Sequence, residues 1–127
     1  MCYDEIMKKE ETIQNYLEAI YIISLKKDKV RAIDIVNYLN YSRPTVSIAL
    51  KHLEIDGYIT AKDNIIKLSD TGKEIALTMY ERHEHIAKIL MKLGVDEKTA
   101  YEDSCLIEHD LSAESFAAIK KATENYI

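Results

Sequence analysis

The chain is poor in the residues that interrupt helices. It has 3 glycines and 1 proline in 127 residues. That scarcity excludes a glycine-rich or loop-dominated fold and favours helices joined by short connections. Its 2 cysteines, Cys2 and Cys105, are too few for a disulfide framework. In a reducing compartment both are expected to be thiols. No apolar run is long enough to cross a bilayer. The first residues, MCYDEIMKKEET, lack the apolar core of a signal peptide. A cytoplasmic location is the default expectation, with no membrane partner. No repeat and no low-complexity segment is visible.

What is present is an ordinary globular balance, 47% hydrophobic and 31% charged, with a formal net charge of −5. The charge is unevenly placed. Residues 1–25 carry 2 basic and 5 acidic side chains, residues 26–67 carry 8 and 5, and residues 68–127 carry 7 and 12. The middle third is therefore net +3 between two acidic flanks. Local fields matter more to a binding surface than the total charge.

Apolar periodicity predicts a first helix over about 11–25, with Ile13, Tyr16, Leu17, Ile20, Tyr21 and Ile23 as its stripe. After the polar KKDK of 26–29, a short helix is expected over 32–39, with Ile33, Val36 and Leu39 inward. Asn40 suits the left-handed conformation that ends a helix. Ser42 is placed as the N-cap of a third helix, with Pro44 in its first turn and Val46, Leu50 and Leu53 buried. Gly57 would close it. YITAKDNIIKLS (58–69) is expected to form two short strands around an Asp63-Asn64 turn. A long helix follows over 71–93 and is stopped by Gly94. Two more are expected over 96–110 and from the Ser112 cap to about 124.

Helix, tight turn, helix and hairpin in that order make a winged helix-turn-helix. Val36, Asn40 and Val46 have the spacing that holds two such helices crossed. The face shown to a major groove would be Ser42, Arg43, Pro44, Thr45 and Ser47, with Ile48 close by. Lys62 and Lys67 on the wing would touch the backbone. A plain helical hairpin inside a core is the bland alternative, but it gives no use to an exposed SRPTVS.

SCLIEHDL (104–111) places Cys105, Glu108 and His109 at i, i+3 and i+4, on one helical face. Thiolate, carboxylate and imidazole together suit a first-row transition metal. The bland alternative is a buried cysteine acting as a small hydrophobe beside a solvated Glu-His pair. His83 and His85, two apart, point to different faces, so at most one joins a given site. Asn15 and Glu18 stand at i, i+3 on the first helix.

Together, NYLEAIYII, SRPTVSIALKHLEIDGYI, LSDTGKEIA, ERHEHIAKIL and GVDEKTAYEDSCLIEHDLS resemble the diphtheria toxin repressor family, in particular its short branch, the manganese transport regulators. The resemblance covers about residues 12–124. It implies a mainly α protein, with a winged helix-turn-helix DNA-binding domain over 1–70 and an all-helical dimerisation and metal-binding domain over 71–127. The helix over 11–25 would contribute to the metal site. It implies a homodimeric, metal-activated repressor of palindromic double-stranded operator DNA, without organic substrate or enzymatic activity. The longer branch adds an SH3-like domain, which is not expected within these 127 residues.

The family's metal ligands would fall on Asn15, Glu18, His83, Cys105, Glu108 and His109. Cys105 resembles the iron-responsive branch and Glu18 the manganese branch. Asn15 departs from both, which carry methionine or aspartate, and Ala87 replaces an ancillary carboxylate of the iron branch. The soft thiolate favours Fe(II), with Mn(II) next, and Zn(II) and Co(II) are expected to bind in vitro. The rival expectations are a thiol enzyme using Cys105 and His109, a metal-independent winged-helix regulator with Cys105 in the core and Glu108 solvated, and a pure interaction module.

Overall fold

The computed structural model describes residues 2–125, with side chains from residue 10 onward. Six helices and one hairpin follow in order: α1 (Cys2–Ser24), α2 (Ala32–Leu39), α3 (Arg43–Ile55), β1 (Ile59–Lys62), β2 (Ile65–Leu68), α4 (Asp70–Lys92), α5 (Glu97–Ile107) and α6 (Ala113–Thr123). The chain divides into two compact units, residues 1–77 and 78–127, with the boundary inside α4.

In the first unit, Tyr16, Leu17, Ile20 and Ile23 of α1 meet Ile35, Val46, Leu50 and Leu53 of the helical pair and Ile59 and Ile66 of the hairpin in one core. The punctuation is chemical. Asn40 takes φ 59° and ψ 41° and donates its N–H to Val36 O, which ends α2 in the left-handed conformation. Ser42 caps α3 by accepting from Thr45 N at 3.3 Å. At the far end, Gly57 (φ 83°) allows Tyr58 N to reach Leu53 O at 2.9 Å and Gly57 N to reach Glu54 O at 3.1 Å.

Asp63 and Asn64, both at positive φ, turn the antiparallel hairpin, which pairs Ile59 with Leu68 and Ala61 with Ile66. Val30 adds a single bridge to Ile66. Because strand side chains alternate, Lys62 and Lys67 fall together on the face opposite Ile59 and Ile66.

The structure corrects three expectations. Ile33 is not inward: it is exposed, and Ile35 is fully buried in its place. The core-facing set of α2 is Ile35, Val36 and Leu39, spaced i, i+1, i+4. α1 begins at Cys2 rather than near residue 11. Nothing in YDEIMKKEE stops it, since those residues include strong helix formers and no glycine or proline; the Cys2 side chain lies outside the described residues. α5 ends at Ile107 rather than at Asp110, with Glu108 as its C-cap residue.

The second unit buries Met79, Ile86, Ala87, Ala100 and Phe116. Small side chains at Ala87 and Ala100 let helices approach closely. Leu93 and Leu106 are exposed, whereas Ile86 and Phe116 are buried. α6 is capped as expected, Ser112 accepting from Ser115 N at 3.0 Å. Among the described residues no helix is long and apolar enough to cross a membrane.

Candidate functional site

His83 projects from α4, Cys105 from α5, and Glu108 from the C-cap of α5. One ligand atom from each lies within 4.8 Å of the others. Glu108 is the centre of the group. It is 0% exposed, with one carboxylate oxygen 3.0 Å from His83 Nδ1 and the other 3.3 Å from His109 Nε2. A carboxylate withdrawn from water is costly unless cations, metals or hydrogen bonds compensate it. Here two imidazoles stand against the carboxylate.

The donor set fits a divalent transition metal. A thiolate, a carboxylate and an imidazole are ligand types such ions select, and the His109 imidazole stands against the same carboxylate. Donors bound to one ion at about 2.0–2.3 Å lie no more than about 4.6 Å apart. Three such donors around one ion stand closer still, so side-chain adjustment would draw the observed cluster in.

Three neighbours that the sequence reading missed hold these donors. Ser104 is fully buried and donates its hydroxyl to His83 O at 2.5 Å, locking α5 to α4 at the level of the cluster. Tyr101 sets its ring, tilted by 46°, 5.3 Å from that of His83 and donates its hydroxyl to Glu84 Oε2 at 2.9 Å. Burial, followed by the hydrogen bond to Glu84, pushes this phenol above its ordinary 10.0. Arg82 is 8% exposed and donates from Nη1 to Glu108 O at 3.2 Å and to Leu111 O at 2.7 Å. It thereby satisfies the C-cap carbonyl of α5, one of those a helix leaves without a partner, and one carbonyl of the turn that follows. Its guanidinium also lies 5.4 Å from the Phe116 ring centroid. A sequence signal for it existed: Arg82 stands three residues after Met79 and four before Ile86, on the buried stripe of α4.

His85 is not among the expected ligands, whereas Glu18 and Asn15 are. His85 lies on another face of α4, as the two-residue spacing requires. Its Nε2 is 2.9 Å from Thr123 Oγ1, whose own proton goes to Ile119 O, so the imidazole donates. Burial, then the charge of Lys120, holds His85 below 6.5, while Glu81 opposes. Glu18 is 6% exposed on α1 and Asn15 is half-buried one turn before it. Both belong to the first unit, whereas the three-residue cluster lies in the second.

Cys105 is exposed and Glu108 buried, the reverse of what a metal-independent regulator with a core cysteine was expected to show.

On α3, Ser42, Arg43, Pro44, Thr45, Ser47 and Ile48 are all exposed, as are Lys62 and Lys67 on the hairpin. Ser42 Oγ donates to Thr45 Oγ1 at 2.7 Å as well as capping the helix. That hydroxyl is therefore committed to local structure before any ligand arrives.

Comparison with known proteins agrees with this geometry. Residues 9–72 match the model described as the iron-dependent repressor N-terminal DNA-binding domain. Residues 69–126 match the iron-dependent repressor metal-binding and dimerisation domain. An HTH-type transcriptional regulator of Methanocaldococcus jannaschii is 32% identical over 119 residues, covering 91% of this chain and 95% of that one. The HTH-type transcriptional regulator MntR of Lysinibacillus sphaericus is 30% identical over 109 residues, covering 85% and 78%.

Among solved structures, a manganese-dependent transcriptional repressor in complex with manganese aligns with a TM-score of 0.79 at 25% identity, over 87% of this chain and 51% of that one. The manganese regulator SloR aligns with a TM-score of 0.77 at 26% identity, over 91% and 54%. This chain thus spans about half the length of those two proteins. The chain belongs to the iron-dependent repressor family, with that family's DNA-binding domain followed by its metal-binding and dimerisation domain.

Proposed function

We propose that this protein is a homodimeric transcriptional repressor that binds palindromic operator DNA when loaded with a divalent metal, Fe(II) in preference to Mn(II). The carrying observation is the convergence of His83, Cys105 and Glu108 around a fully buried carboxylate, in a chain that also carries a winged helix-turn-helix. His83, Cys105, Glu108 and His109 would hold the ion, which supplies positive charge to the Glu108 carboxylate. Ser104 and Arg82 hold the backbone carbonyls of His83 and Glu108, so these donors would be presented from a fixed frame. The preference for iron rests on Cys105, because a thiolate is a softer ligand than Mn(II) favours. A two-fold dimer matches a palindromic site by symmetry.

The test is anaerobic fluorescence anisotropy. The probe is the duplex upstream of this protein's own gene, titrated in chelator, Fe(II) and Mn(II). DNA binding should require metal and should saturate at lower Fe(II) than Mn(II). Glu108→Ala should abolish the metal stimulation while leaving the dimer intact by sedimentation. Equal binding in chelator, or stimulation that survives in Glu108→Ala, would overturn the reading. A coupling of ~1–3 kcal/mol between two sites, which is typical, corresponds to a stimulation of about 5- to 150-fold.

A further inference from the structure

Single exposed apolar side chains are ordinary on protein surfaces. Ile48 is distinguished by where it stands. It is 60% exposed on α3. The buried line of α3 is Val46, Leu50 and Leu53. At about 100° per residue, Ile48 lies about 200° from Val46, in the middle of the opposite face. Pro44, one turn earlier, falls within about 40° of it on the same wheel. Thr45 and Ser47 flank this strip on either side, each about 100° from Val46. The outermost line of the N-terminal half of α3 is therefore apolar, and the hydrogen-bonding and charged side chains stand beside it.

The apolar line restricts what α3 can read. Isoleucine offers no donor or acceptor to a phosphate, to guanine N7 and O6, to adenine N6 and N7, or to cytosine N4. The apolar feature that base pairs present in the major groove is the C5-methyl group of thymine. The surroundings suit duplex DNA rather than a protein partner: residues 26–67 are net +3 in a chain that is net −5, and Lys62 and Lys67 share the outer face of the hairpin.

We infer that Ile48 is a specificity-determining residue that packs on the thymine methyl, with Pro44 beside it, and that it selects operators carrying thymine at a fixed place in each half-site. This rests on the DNA-binding reading above and names the base chemistry that the reading left open.

The experiment starts with duplexes selected from a random library by the metal-loaded, full-length protein. Each thymine of the selected half-site is then replaced by deoxyuridine, which removes the methyl group alone, and affinity is read by anisotropy. Withdrawing one methyl from an apolar contact should weaken binding about fourfold at one or more positions. Ile48→Val should keep that discrimination, and Ile48→Ala should bind the thymine and uracil probes alike. Because Ile48 is exposed, both variants should melt like the parent, which circular dichroism verifies. Insensitivity to uracil at every position, or an Ile48→Ala protein that still distinguishes the two probes, overturns the inference and leaves the repressor reading standing. Failure of the loaded protein to enrich any duplex overturns the repressor reading itself, and this inference with it.

Discussion

Arg82 carries two jobs in one guanidinium: it fills a buried place on α4, and it holds the carbonyls of Glu108 and Leu111. Those carbonyls bracket the turn that presents Glu108 and His109. A lysine at the same place would keep the charge, but a compact ammonium on a flexible stem lacks the planar guanidinium that fixes Nη1 toward both carbonyls. Arg82→Lys should therefore weaken Co(II) binding by about tenfold or more, the range seen when partners of metal ligands are removed. The check is an optical Co(II) titration of the folded variant, with its thermal midpoint measured alongside. A lowered midpoint with unchanged Co(II) affinity would make Arg82 a packing residue only. Ser104 is different in kind: its hydroxyl is spent on the backbone of His83, so its contribution is to helix register rather than to the turn.

At the scale of elements, the join between the hairpin and α4 is closely tied. Ser69 N donates to Tyr58 O at 2.9 Å, and Ser69 Oγ donates to Gly57 O at 2.7 Å while accepting from Gly72 N at 3.1 Å. This network draws the start of α4 against the residue that follows α3. A Cβ on Gly72 would stand 2.1 Å from Tyr58 O, a backbone atom that cannot rotate away. Gly72→Ala should destabilise the first unit by about 1–3 kcal/mol, the usual penalty for overpacking, despite alanine being the better helix former. Urea denaturation followed by circular dichroism measures it. A neutral or stabilising result would mean the two segments separate at little cost.

Gly72 also shows where the sequence stops being legible. The helices, their caps at Ser42 and Ser112, the left-handed Asn40 and the Asp63-Asn64 turn follow from local chemistry and could be read directly. The need for glycine at 72 arises from a residue fourteen positions earlier, and no local pattern announces it. The same holds at the His83, Cys105 and Glu108 cluster. The i, i+3, i+4 spacing pointed to Cys105, Glu108 and His109. It did not show that α5 would end before Glu108, nor that Arg82 from α4 would hold that end. Ile33 and Ile35 were exchanged because a stripe of eight residues admits two apolar phases, and only the packing of α2 on its neighbours chooses between them.

At the scale of the whole molecule the charge distribution matters most. An acidic chain that meets DNA must do so through a local field, and residues 26–67 supply it against acidic flanks. Lys62 and Lys67 stand on one face of the hairpin and are exposed, whereas the opposite face is pinned to the core by Ile59 and Ile66. A rigid wing of this kind can bring both ammonium groups to phosphates without ordering a loop. Each phosphate contact releases condensed counterions, so the slope of log K against log[salt] should fall by about 0.9 for each lysine lost. Lys62→Ala and Lys67→Ala should each flatten the slope by that amount and weaken all duplexes alike, because phosphates carry no sequence. Ile48→Ala should do the opposite, changing which thymines matter while leaving the slope where it was. The two measurements together separate what holds the protein on DNA from what chooses the site. If neither lysine changes the slope, the wing does not meet the backbone, and the basic character of the reading unit must act through Arg43, Lys51 and the residues before α2.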